Sequence, residues 1–210
     1  YHNDTIYVRL TCKQKIERDS VGEELPCGIV KWFVEVFDQN DELVAVATIL
    51  TMVQKKSPFI EINRSNIENY LSKLTENQKA SWGTMTPQHM LEHMEEQFRY
   101  ATAEKGDFEI ATPAEHLDKY RETVFNHKPF PKEHKHPLMK SDGNEDLIHT
   151  DLQTAKQKLI EAYDVYEQYF KENPDARTKN AVFGMMDKFE WDLLSTKHFN
   201  HHFEQFGILD

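Results

Sequence analysis

The chain predicts an α+β protein: a short antiparallel β segment over residues 1–56, then an up-down four-helix bundle over residues 57–210. Two changes along the sequence carry that division. From residue 5 to residue 55 apolar side chains alternate with period two, the pattern of half-buried strands. From Ser57-Pro58 onward they recur with helical spacing and are bounded by caps and prolines.

The first strand is Thr5-Ile6-Tyr7-Val8-Arg9-Leu10-Thr11-Cys12-Lys13, with Ile6, Val8, Leu10 and Cys12 on one face. The second runs from Ile29 to Phe37, with Val30, Trp32, Val34 and Val36 on one face. Asp38-Gln39-Asn40-Asp41 consists of residues that tolerate a tight turn, and Leu43 to Val53 returns as a third, mostly apolar strand. Three such strands with no helix of their own cannot bury both faces, so this half needs a partner.

In the second half, Ser65-Asn66-Ile67-Glu68 reads as a capping box ahead of the stripe Ile67, Tyr70, Leu71 and Leu74. Thr86-Pro87 supplies an N-cap and a proline at the first helical position, opening a helix to about Lys105. A third helix runs from Leu152 to Glu172, with Leu152, Ala155, Leu159, Ala162, Tyr166 and Tyr169 inward, and Asn173-Pro174 stops it. Asp187-Lys188-Phe189-Glu190 caps a fourth, which Gly207 closes. The polar insertion between the second and third helices carries a helical pattern from Pro113 to Val124, and Pro129 to Pro137 reads as irregular.

Composition removes several function classes. A net charge of −11 offers no basic patch for phosphates, so nucleic acid is not an expected partner. No apolar run approaches the roughly 20 residues that span a bilayer, so no membrane partner is expected either. Cys12 and Cys27 are too few for a disulfide framework or a zinc ribbon, and a reducing, cytoplasmic setting is the expectation. The chain starts at Tyr1, almost directly in a strand, as a fragment of a longer protein would; a trimmed terminus would look the same.

The chemistry-bearing segment is Lys197-His198-Phe199-Asn200-His201-His202-Phe203-Glu204-Gln205-Phe206-Gly207. On a helix His198 and His202 share a face one turn apart and continue the stripe of Trp191 and Leu194. Two neutral imidazoles at this spacing can grip a divalent ion, and a ligand from another helix would complete an open site. His93, three residues after Met90 and four before Gln97, can face inward; His89, in the first turn of the same helix, is a competing ligand. The bland alternative is a set of hydrogen-bonded core imidazoles. His201, about 100° around the helix from His202, fits a supporting or surface contact. His127, His134 and His136 fall in the proline-rich insertion, and His2, His116 and His149 have no supporting context. Glu92, Glu95, Glu96 and Glu204 are near enough in sequence to orient a ligand or move a proton, and no general base stands out among them.

Residues 65 to 210 resemble the DinB-like superfamily, in its branch of domains of unknown function DUF1569. The likeness rests on Trp82-Gly83, Thr86-Pro87-Gln88-His89-Met90-Leu91-Glu92-His93, Phe183-Gly184, Trp191, and His198-x3-His202-x2-Gln205-Phe206-Gly207. It implies a four-helix bundle with a three-histidine metal site, whose ligands fall here on His93, His198 and His202. The implied cofactor is a divalent metal, zinc or nickel first, and related bundles include thiol transferases and isomerases.

Residues 1 to 56 resemble the last strands of a MaoC-like hotdog domain, on Asp4-Thr5-Ile6-Tyr7-Val8-Arg9-Leu10-Thr11, Gly28-Ile29-Val30-Lys31-Trp32 and Val34-Glu35-Val36. The wording is similar to the C-terminal domain of phenylacetate-degradation bifunctional enzymes, which join an aldehyde dehydrogenase to a ring-opening, oxepin-CoA hydrolase domain of the enoyl-CoA hydratase type. In that family the hydratase Asp and His lie in the earlier half of the hotdog, which would precede Tyr1. The resemblance thus implies a C-terminal region of such an enzyme that lacks the hydratase step by itself, the CoA thioester binding only to the full-length protein. It also implies a homo-oligomer formed through the hotdog strands. The rival expectation is a non-catalytic interaction module, in which the bundle aids assembly.

Overall fold

In a computed structural model that describes residues 5–18, 22, 24–132 and 146–209, the chain is a mixed α+β protein. Its contacts divide it into two units, Tyr1–Ser57 and Pro58–Asp210. His2, His134 and His136 lie outside the described residues, as does most of the span from Pro129 to Pro137.

The first unit is an antiparallel sheet of three strands in sequence order: β1 (Ile6–Glu17), β2 (Cys27–Asp38) and β3 (Leu43–Gln54). At the β2–β3 turn the Asp38 carboxylate accepts from the backbone N–H groups of Asn40 (2.8 Å) and Glu42 (2.9 Å), and Asp41 takes a φ of 63°. These bonds hold the Asp38 carboxyl below its ordinary value. The register pairs Leu10 with Val34 and Val34 with Ala47, so Ile6, Val8, Leu10, Trp32, Val34, Val36 and Ile49 share one face. A bulge at Lys13 then shifts β1, so Lys15 and Glu17 arrive on that apolar face. Val34 at its centre is buried, while Ile6, Val8, Leu10, Ile49 and Val53 are 43% to 61% exposed.

The second unit holds, among its described residues, five α-helices, a 3₁₀ turn and a two-stranded hairpin. Helix α1 (Arg64–Lys73) is capped by Asn63, whose side chain accepts from the Asn66 N–H at 2.9 Å, and not by Ser65. Glu68 pairs with Arg64 one turn back (3.0 Å), so the expected capping box is not made. Helix α2 (Pro87–Ala101) starts at the Thr86 cap as expected but ends four residues before Lys105. There the Thr178 hydroxyl donates to Ala101 O (2.8 Å) and Ala103 turns to a φ of 58°.

The insertion forms a 3₁₀ turn (Ala114–His116) and α3 (Leu117–Phe125), where the helical pattern lay. Helix α4 has the expected bounds, Leu152–Glu172, with a rotated stripe. Tyr163 and Phe170 are buried where Ala162 and Tyr169, half-buried, were expected; both sets fit helical spacing from Leu159 and Tyr166, and packing selects between them. The hairpin of β4 (Thr178–Asn180) and β5 (Gly184–Met186) was not anticipated: three-residue strands are too short to show alternation. Its turn is set by Asn180, whose side-chain oxygen accepts from Val182 N and Phe183 N, and by Gly184 at a φ of 77°.

Helix α5 (Lys188–Gln205) has the predicted capping box, with the Asp187 carboxylate on Glu190 N and the Glu190 carboxylate on Asp187 N. It packs against α2, α3 and β5 and is buried on nearly every side. Trp191, Phe199 and Phe203 are fully enclosed, and the buried polar groups among them each find partners. Asn200 bonds both N–H and C=O of Ile60, at 2.9 and 2.8 Å. Lys197, whose ammonium burial pushes down to about 8, donates to Thr123 O and Asn126 O at the end of α3. Glu190 receives Arg121 and Arg177.

Candidate metal centre

Helices α2 and α5 bring His93, His198 and His202 together. His198 Nε2 lies 2.9 Å from His93 Nε2 and 2.9 Å from His202 Nε2. One ligand atom from each ring lies within 4.8 Å of the others, and no further His, Cys, Asp or Glu joins them among the described residues. His202 is buried, whereas His93 and His198 are half-buried, so the cluster is most accessible from their side. Burial holds the His202 ring neutral, well below its ordinary pKa, and the neighbouring His93 adds to that.

The outer nitrogens of two rings meet glutamine amides. His202 Nδ1 lies 2.8 Å from Gln205 Oε1, and His198 Nδ1 contacts Gln97 Oε1. Gln205 donates onward to Trp82 O (2.8 Å), and Gln97 to the Ser195 hydroxyl (2.7 Å). The segment around Trp82 is fixed over the end of α5, since Ser81 N donates to Gln205 O (2.7 Å) and Gln78 to Phe206 O. Gly83 turns it at a φ of 73°, where a Cβ would meet Gln205 Nε2 at 3.1 Å.

A zinc ion held at about 2.0–2.1 Å from each ligand places tetrahedral nitrogens about 3.4 Å apart. The two 2.9 Å spacings approach that, and three imidazoles are a suitable donor set, so the residues fit a divalent ion.

The remaining candidates are placed elsewhere. His89 Nδ1 sits 2.7 Å from the Thr86 hydroxyl at the start of α2, outside the cluster. His201 stacks edge-on against Trp82 (5.5 Å) and His202 (5.2 Å), a supporting contact. The four carboxylates are all engaged away from the three rings. Glu92 accepts from the backbone N–H groups of Ile148 and His149, Glu96 pairs with Lys105, and Glu204 with Lys132. Glu95 is buried between Arg99 and His149, 2.5 Å from each. Sequence reasoning gave His149 no role; the fold makes it the latch that seats residues 148–149 on α2. Two surface hollows, lined by Arg177, Lys188 and Asp192 and by Asp164, Glu167 and Lys171, include none of the three histidines.

No protein-family model matches the chain, and no curated protein or solved structure matches it. No helix among the described residues is long and apolar enough to cross a membrane.

Proposed function

We propose that the helical unit binds one divalent metal ion, zinc or nickel, through His93, His198 and His202, and uses it for hydrolysis or thiol transfer. The observation that carries this is the convergence of three Nε2 atoms contributed by two helices. Three protein ligands leave a coordination position for water or a thiolate, and the bound ion supplies Lewis-acid polarisation or a lowered pKa at that position. The chain's own part is to hold three imidazoles together, that of His202 buried and neutral and those of His93 and His198 half-buried. The DinB-like motif pattern points the same way and remains a motif likeness. Elemental analysis tests the reading: about one ion per wild-type chain, lost in His93→Ala, His198→Ala and His202→Ala. Protein that takes up none after reconstitution with zinc, nickel and manganese would leave the helices as a scaffold.

A second proposal concerns the sheet unit. Its apolar face through Leu10, Val34 and Ile49 favours a covering partner, and we take that partner to be another copy of the chain. The MaoC-like wording of these strands supports reading them as the end of a hotdog domain in a phenylacetate-pathway bifunctional enzyme. In that reading CoA thioester chemistry belongs to the full-length enzyme. The alternative role, an assembly module without catalysis, keeps the association and drops the metal.

A further inference from the structure

Behind the converging nitrogens, the Gln205 amide decides where the His202 ring proton sits. The Gln205 amide lies between His202 Nδ1 and Trp82 O, 2.8 Å from each. A carbonyl oxygen only accepts, so the amide nitrogen faces Trp82 and the amide oxygen faces His202. An amide oxygen also only accepts, which puts the proton of that contact on His202 Nδ1. In the neutral ring Nε2 then carries a bare lone pair. Gln97 lies behind His198 between Nδ1 and the Ser195 hydroxyl, but a hydroxyl both donates and accepts, so only the His202 tautomer is fixed in this way. The His202 lone pair faces His198 Nε2 at 2.9 Å, where it can accept a proton from that ring or take a metal cation held between them.

We propose that Gln205 is a positioning residue that locks His202 as its Nδ1–H tautomer, aiming the Nε2 lone pair at the site. The backbone of Trp82-Gly83 is part of the lock, because Trp82 O orients the Gln205 amide and Gly83 leaves room for it. This proposal rests on the metal-binding reading of the three histidines and assigns a task to residues outside the ligand set.

The test combines imidazole tautomers with zinc affinity, on ¹⁵N-labelled, metal-free protein. In the wild type, nitrogen spectra should show His202 protonated at Nδ1 and bare at Nε2, and competition with a chelator should give the zinc affinity. Gln205→Leu should mix the tautomers and weaken zinc binding about 10–100-fold. Gln205→Glu keeps an acceptor for Nδ1–H and should recover the tautomer and most of the affinity. A role limited to holding the Trp82 carbonyl predicts instead that Glu, having no donor, does no better than Leu. An Nε2–H tautomer in the wild type, an unaffected Leu variant, or a Glu variant no better than Leu would each overturn the proposal. Wild-type protein with the expected tautomer but no zinc uptake would overturn the metal reading and leave the lock standing.

Discussion

His198 Nε2 stands 2.9 Å from His202 Nε2, their rings 66° apart on consecutive turns of α5, with His93 closing from α2 at 2.9 Å from His198. An ion bound among these rings, as proposed, would couple its binding to folding.

Zinc should therefore stabilise the wild type. A ligand that binds only the folded state adds about 2.7 kcal/mol at one hundred times its Kd. Thermal unfolding with and without zinc measures it. His198→Ala, which removes the Nε2 that lies 2.9 Å from both other Nε2 atoms, should show no zinc-dependent rise. An equal rise in that variant would place the ion elsewhere.

The metal-free protein should weaken in mild acid. Because the folded state lowers the His202 pKa below 6.5, the unfolded chain binds more protons as pH falls beneath that value. His202 thus contributes full stability above about pH 6.5 and loses it progressively as pH drops toward the depressed value. Urea midpoints from pH 8 to pH 5 should fall more steeply for wild type than for His202→Asn. Parallel curves would contradict the burial argument.

Glu190 joins three elements through charge. It meets Arg121 of α3 and Arg177 beside the hairpin, and it closes the α5 capping box. Glu190→Gln removes the charge that pairs with Arg121 and Arg177, which should cost about 1–3 kcal/mol. Chemical denaturation should show that loss, and zinc uptake below the unfolding transition should persist.

The sheet should drive association. Sedimentation velocity should find the wild type as a dimer or larger, and Leu10→Lys with Ile49→Lys, on the same apolar face, should shift it toward monomer. A strictly monomeric wild type would end the proposal that another copy covers this face.

Local rules made much of this readable in advance. The three strands, the Thr86 and Asp187 caps, both ends of α4 and the Gly207 stop all follow from side chains acting within a few residues of themselves. The inward face of α5 was legible for the same reason, since helical spacing puts His198 and His202 on one side whatever surrounds them. The Asn63 cap, the early end of α2 and the rotation of the α4 stripe were misread. In the last two, distant residues decide: Thr178 takes the Ala101 carbonyl, and neighbouring helices select which tyrosines are enclosed.

The sequence alone determined the three long strands, the approximate spans of the main helices and which imidazoles share a helix face, because these depend on periods of two and 3.6 residues. Only the tertiary structure decided that His93 rather than His89 meets them, that Gln97 and Gln205 stand behind the rings, and that Glu95 holds His149. Those contacts join residues 54 to 105 positions apart, or depend on such packing for their orientation. Their geometry is set by how buried helices fit together, which no local period encodes.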